Sequence, residues 1–249
     1  MKALLIIFCV LLSSSGMGQT GKKKVPSYFG LQVKPVFPTN FIGSPTLELS
    51  NDGFESTTKQ KIGYSFGGVV RAGLTKLIAL ETGINFTQRN FNIDMAVPDS
   101  GIYITQQLGF IEYDIPLNAL MYIRLSDQWY MNAALGVAIN FKPTDVRVIS
   151  GDGYSFFYHT GYITKKVGID LNANLGFEFR TEKNGFFYLG GSARVPFWPL
   201  FTMIADYRYQ GINNRIIGEV DGSFLSLEFK YFFPNIANKG VQFQDGPIE

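Results

Sequence analysis

A two-residue alternation of apolar and polar side chains is the feature that most restricts the folds open to this chain. Between Lys165 and Arg180, the residues Val167, Ile169, Leu171, Ala173, Leu175, Phe177 and Phe179 share one parity. Asp170, Asn172, Asn174, Gly176, Glu178 and Arg180 share the other. Successive side chains of an extended strand point to opposite faces, so the pattern predicts a strand with two unlike faces rather than a helix. Trp129, Met131, Ala133, Leu135, Val137, Ile139 and Phe141 repeat it against Asn132, Ala134, Gly136, Ala138 and Asn140. Ile78, Leu80, Thr82, Ile84 and Phe86 repeat it against Glu81, Gly83 and Asn85.

Phe29–Phe37, Ile62–Gly73, Tyr113–Ile123, Phe186–Val195 and Ser223–Phe233 bring the predicted strands to eight. Each has about the 9 to 11 residues that cross a bilayer on a tilt. Long connections are expected at Thr39–Gln60, Arg89–Gln107, Lys142–Thr164 and Pro196–Gly222, and brief turns at Leu74–Lys76, Arg124–Gln128 and Thr181–Gly185. Long outer loops alternating with short periplasmic turns are the rule for an even, up-and-down transmembrane barrel with both ends in the periplasm. The expected fold is therefore all-β: an eight-stranded antiparallel transmembrane β-barrel.

A soluble ligand-carrying barrel also alternates, but with its apolar face inward. Here the polar face is rich in small residues, Gly63, Ser65, Gly67, Gly83, Ala134, Gly136 and Gly176, as a narrow lumen requires. The apolar face carries rings near both ends: Phe29, Trp129, Phe179, Phe187, Tyr231 and Phe233 at one level, Phe37, Tyr64, Phe86, Tyr113 and Phe141 at the other. Two such rows match the aromatic girdles at membrane interfaces. Pro35 and Pro116 fall inside predicted strands, where a missing ladder donor predicts a bulge.

Hydrophobic residues make up 46% of the chain and charged residues only 17%, a balance suited to a wall that meets lipid. A net charge of +2 on scattered Lys and Arg argues against nucleic acid as a partner. Met1–Gly18 reads as an export signal, with Lys2 ahead of the apolar run Ala3–Leu12 and small residues from Ser13, so cleavage is expected before Gln19. Cys9, the one cysteine, lies inside it, and the mature chain would have no thiol chemistry. The expected organisation is a signal peptide at 1–18, a periplasmic lead-in at 19–27, the barrel at 28–233 and a polar tail at 234–249.

The segments Phe110-Ile111-Glu112-Tyr113-Asp114-Ile115-Pro116-Leu117, Ala173-Asn174-Leu175-Gly176-Phe177-Glu178 and Leu227-Glu228-Phe229-Lys230-Tyr231-Phe232 resemble strands of the Bacteroidota outer membrane protein beta-barrel domain family, the PorT-like small barrels. Gln19 at the expected cleavage point fits the same family. The resemblance implies an outer-membrane location and, through one group of the family, an association with a secretion system. About sixteen residues follow Phe233, whereas the usual assembly signal ends the chain on an aromatic.

The inward parity carries acids at Glu81, Glu112, Asp114, Asp170, Glu178 and Glu228, and bases at Lys34, Arg71, Arg180, Arg194 and Lys230. Charges in a narrow lumen must pair or keep water, so a structural ion-pair network that fills the barrel is expected, with a small gated solute channel as the alternative. Outer-membrane barrel enzymes generally use a rim histidine as base, and His159, in the third long connection beside Tyr158 and Thr160 and near Asp152 and Ser155, is the one candidate for a hydrolase or acyltransferase. No nucleophile motif surrounds Ser155, and no second histidine offers a metal pair. No catalytic, cofactor-binding or metal-ligating residue is assigned, and no cofactor is expected. Asn40–Phe54 and Val195–Asn213 carry aromatics, Phe197, Trp198, Phe201, Tyr207 and Tyr209, which either form a loop binding surface or pack across the mouth. The expected role is structural or interactive, with outer-membrane lipid as one partner and an envelope protein or surface ligand at the loops as another.

Overall fold

The computed structural model describes residues 27–40, 42–75, 77–151, 155–181, 183–209 and 212–234. The expected export signal, nearly all of the lead-in, the tail beyond Pro234 and Asp152 lie outside the described residues. The strands are β1 (Ser27–Pro38), β2 (Thr46–Asn51), β3 (Phe54–Gly73), β4 (Ile78–Val97), β5 (Ile102–Arg124), β6 (Trp129–Phe141), β7 (Val146–Gly151), β8 (Ser155–Tyr162), β9 (Val167–Arg180), β10 (Phe186–Pro196), β11 (Phe201–Tyr209), β12 (Ile212–Val220) and β13 (Phe224–Phe232). Of these thirteen, eight form a closed antiparallel ring in the order β1-β3-β4-β5-β6-β9-β10-β13, because β1 pairs with both β13 and β3. Closure leaves no strand edge in the wall.

Burial alternates along the ring strands as the sequence parity predicts. Leu31, Val33, Leu175, Leu189 and Phe229 face outward, each about half exposed, while their chain neighbours are buried. On β9 the outward row from Val167 to Phe179, at about 3.3 Å per residue and a tilt of about 40°, spans roughly 30 Å, the thickness of a bilayer's hydrocarbon. The rings at the short-turn end pair across strands, Phe29 with Phe233 at 5.8 Å and Trp129 with Phe179 at 5.0 Å between centroids. On the outer side Phe66, Phe86 and Tyr113 form a second chain of ring contacts.

The short turns are closed by hydroxyl side chains. Thr75 Oγ1 accepts from the Ile78 amide at 3.0 Å, Ser126 Oγ from the Trp129 amide at 3.2 Å, and Thr181 Oγ1 from the Asn184 amide at 3.0 Å. These local bonds satisfy turn amides that the ladder leaves free. In the third turn Gly185 sits at φ 75°, and a Cβ there would lie 2.0 Å from the Phe232 carbonyl oxygen, so glycine is required.

Pro35 and Pro116 do not form the expected bulges. Pro35 stays in register opposite Tyr64, and Pro116 opposite Ala138. The missing N–H leaves a gap in the ladder to the other neighbour, β13 or β4, without shifting either register. The bulge lies instead in β3, between Lys61 and Tyr64. It changes the inward parity of that strand from Phe54, Ser56, Thr58 and Gln60 to Gly63, Ser65 and Val69.

The connection expected at Arg89–Gln107 is not a loop. β4 and β5 continue outward in register from Asn90↔Gly109 to Val97↔Ile102, and a single 3₁₀ turn at Pro98–Ser100 with left-handed Gly101 joins them. The segments at 142–166 and 197–223 form the hairpins β7–β8 and β11–β12, which pair into a four-stranded sheet ordered β12-β11-β8-β7. That sheet faces the outward extensions of β3, β4 and β5 across an apolar core built from Phe54, Phe91, Ile93, Met95, Leu108, Phe110, Phe157, Phe201, Met203 and their neighbours. The outer connections are thus a packed cap on the barrel, and burial of each large side chain in it contributes about 1.5–3 kcal/mol.

Candidate functional site: lumen and outer cap

The lumen is filled in three layers. At the short-turn end Tyr28, Phe186 and Phe232 pack ring on ring, with Phe186 and Phe232 stacked at 4.4 Å. Ala79, Leu120, Tyr122, Tyr130 and Ala134 complete this floor. Tyr188 lies along the inner wall over Gly190 of its own strand and Gly176 of the next, which leave room for its ring; a Cβ on Gly190 would lie 2.2 Å from the Tyr188 hydroxyl.

The middle layer is ionic. Arg71 bridges Glu81 at 2.6 Å and Glu178, and Arg180 holds Glu178 at 2.9 Å. Lys230 joins Glu81 at 2.6 Å to Glu228 at 2.9 Å, and Lys34 meets Glu228 at 2.8 Å. Nearer the cap, Arg194 bonds Asp114 at 2.8 Å with Glu112 and Asp170 just beyond, at 3.8 and 3.9 Å. Asn132, Asn174 and Asn85 donate to Glu178, Glu228 and Asp114. Burying such charges is tolerable only with this degree of pairing and hydrogen bonding. Every acid and base assigned to the inward parity from the sequence is buried here.

Two inward cations escaped the sequence reading. Arg89 is 1% exposed, donates to Gln60 at 3.0 Å and lies 4.9 Å from the Phe224 ring centre. Lys142 is 3% exposed. Strands matched to a membrane crossing leave both in long connections, although Arg89 keeps the odd parity that Glu81 and Asn85 establish on β4. Immediately above Arg89, at Phe91, the inward face becomes apolar and the cap begins.

His159 lies on β8 with its side chain inside the cap, 1% exposed, rather than open at the rim. Its Nε2 meets Ser56 Oγ of β3 at 3.0 Å, while Nδ1 has no partner among the described residues. Burial pushes the imidazole down to about 4, against the weaker opposing pull of the Asp206 carboxylate. That carboxylate is engaged by Arg215 at 2.6 Å and does not orient the ring. A polar pair therefore ties the hairpin sheet to the barrel extension.

The loop aromatics divide. Phe201 and Tyr207 are buried in the cap core, as is Phe54, and Tyr209 packs against it, so these do not form an exposed surface. Phe197 at 60% and Trp198 at 38% are exposed. A recess of about 260 Å³ lies on the outward side of β3, β4 and β5, lined by Glu55, Thr57, Asp94, Tyr103 and Thr105. Among the described residues no cluster of His, Cys, Asp and Glu is arranged to hold a metal ion, and no helix is long and apolar enough to cross a membrane, which says nothing of strands.

Among solved structures, the outer membrane protein OprG from Pseudomonas aeruginosa is similar with a TM-score of 0.52 at 12% identity, over 86% of this chain and 99% of that one. The fold is that of an outer-membrane β-barrel. The beta domain of the Bordetella autotransporter BrkA also aligns, at TM-score 0.31 and 10% identity, over 84% of this chain and 98% of that one. The sequence matches no protein-family model and no curated protein.

Proposed function

We propose that this chain is an integral outer-membrane protein of a Gram-negative cell, exported through a cleaved signal peptide, whose role is structural and interactive rather than catalytic or conductive. The observation that carries this reading is the closed ring with a half-exposed apolar belt outside and ions inside. Such a wall is stable only where hydrocarbon surrounds it. The PorT-like resemblance of the Phe110–Leu117, Ala173–Glu178 and Leu227–Phe232 segments supports a Bacteroidota small-barrel assignment and an accessory place in an envelope or secretion assembly. Support for a non-conducting role comes from the aromatic floor, the paired ions and the apolar cap, which occupy the lumen in succession. Support for a non-enzymatic role comes from the burial of His159 against Ser56. Contacts with other envelope components then fall to the outward faces of the cap.

The purified protein is expected to require detergent, to insert into lipid vesicles, and to run faster on gels unheated than boiled. It should give no conductance steps in planar bilayers. Free solubility of the mature protein without detergent would overturn the membrane reading, and stepwise conductance the non-conducting one.

A further inference from the structure

One side of the molecule carries cations and aromatic rings in a continuous strip that begins at the outer girdle and climbs the outward face of the cap sheet. At its foot are Lys165 and Lys166, both exposed, directly before Val167, which pairs with the girdle residue Phe141. The Lys165 ammonium lies 4.0 Å from the centre of the Trp198 ring. Higher up, Tyr158 is flanked by two guanidiniums, Arg147 from β7 at 5.4 Å and Arg208 from β11 at 5.0 Å. Tyr162, 50% exposed, lies between the two levels. None of these four cations has a carboxylate partner among the described residues. The acids of the same face are occupied or peripheral: Asp206 holds Arg215, Asp145 accepts from the Ile163 amide at 2.8 Å, and Glu219 lies on the edge strand β12.

Resting on the membrane reading above, we infer that this strip binds an anionic glycolipid of the outer leaflet, with Lys165 and Lys166 at its phosphates and Arg147, Tyr158 and Arg208 along its acidic saccharide. Height selects this occupant. Tyr158 lies four residues up β8 from Tyr162, which at about 3.3 Å each on a tilted strand is roughly 10 Å, and the connection 163–166 separates Tyr162 in turn from Val167 at the girdle. A phospholipid headgroup layer is only about 5–7 Å thick, so it reaches the lysines but not the arginines. A lipid that carries negative charge at both heights needs sugars above its phosphates. Exposed rings between the cations suit the apolar faces of those sugars, and cations near an anionic surface each strengthen binding about fivefold.

The test uses the full protein in phosphatidylcholine nanodiscs, titrated with a phosphorylated lipid A-type glycolipid that retains its acidic core sugars. The controls are the same glycolipid after dephosphorylation and phosphatidylcholine alone. Bound lipid is counted by native mass spectrometry. Wild-type protein should retain the phosphorylated form at least tenfold better than the dephosphorylated one. The exposed pairs Lys165→Gln/Lys166→Gln and Arg147→Gln/Arg208→Gln should each weaken retention by more than tenfold, while Lys59→Gln/Lys61→Gln on the opposite wall should change it less than twofold. Equal retention of both glycolipids, or equal loss in all three variants, overturns the inference. So does capture of an acidic protein from outer-membrane extract that depends on these four cations while glycolipid retention does not. Failure of the membrane reading would look different, since the protein would then not enter nanodiscs at all.

Discussion

Glu178 is the most heavily loaded carboxylate in the lumen, and its removal offers a quantitative test of the filled-barrel description. It accepts from Arg71, from Arg180 and from Asn132, and it is fully buried. In Glu178→Leu, Arg71 keeps Glu81 at 2.6 Å, but Arg180 has no other carboxylate among the described residues and keeps only its contacts with rings such as Tyr130 at 4.1 Å. Leaving one buried charge uncompensated costs about 3–5 kcal/mol, a factor of roughly a hundred to a few thousand in the folding equilibrium. Adding Arg180→Met removes the stranded cation, and replacing a whole buried pair by apolar groups is often close to neutral, so the double variant should recover at least about 2 kcal/mol. Urea unfolding from lipid vesicles, followed through Trp129 fluorescence in a Trp198→Phe background and by the mobility of unheated samples, measures both quantities. A loss below about 1 kcal/mol in Glu178→Leu, or a double variant no more stable than the single one, would show that water rather than Glu178 compensates Arg180.

The other expectations concern the cap and the turns. Because the folded His159 titrates near 4 instead of 6.5, the unfolded chain binds the extra proton first; cap stability is full above pH 6.5 and falls as pH drops towards 4, by up to about 3 kcal/mol. Hydrogen exchange of β8 and β11 amides should accelerate over that window, and His159→Asn should flatten the profile. Phe91→Ala, which empties a fully buried site beside Phe201, should destabilise the cap by about 3–5 kcal/mol and expose the hairpins to protease, while the gel shift of the unheated barrel persists. Gly185→Ala, forced to φ 75° against the Phe232 carbonyl, should slow insertion into vesicles markedly, whereas Gly101→Ala, with open space around it, should have a much smaller effect.

All eight ring strands were legible because each must show lipid on one side and lumen on the other, which enforces the period of two from Phe29 to Phe233. The inward ions were legible for the same reason. What escaped was everything that depends on the chain leaving the bilayer. A strand only long enough to cross a membrane ends before Arg89, which leaves Arg89 to Gln107 as a loop, although Phe91, Ile93, Met95 and Val97 continue the alternation of β4. In β3 the bulge after Lys61 reverses the phase of the pattern, and Phe54 to Gln60 no longer reads as part of the same strand. Pairing between the hairpins of the third and fourth connections is a long-range contact with no local signature, which is why the sequence leaves Phe201 and Tyr207 open between a loop surface and a packed mouth and places His159 at the rim, whereas all three are core.

One rule accounts for both halves of the molecule and fixes where the membrane ends. On β5 the inward residues are Leu108 and Phe110 above and Glu112 and Asp114 below, while the outward ones are Gln107 and Gly109 above and Ile111 and Tyr113 below. β4 makes the same exchange between Arg89 and Phe91. Where hydrocarbon surrounds the wall, the outer face must be apolar and the ions go inside; where water surrounds it, the outer face turns polar and the interior becomes a dry core. The crossovers on these two neighbouring strands adjoin along the ladder, where Arg89 pairs with Phe110, just above the ring contact of Phe86 and Tyr113. A water-soluble carrier barrel would have no reason to invert its interior part-way along a strand, whereas a barrel that passes from lipid into water must do so at the interface.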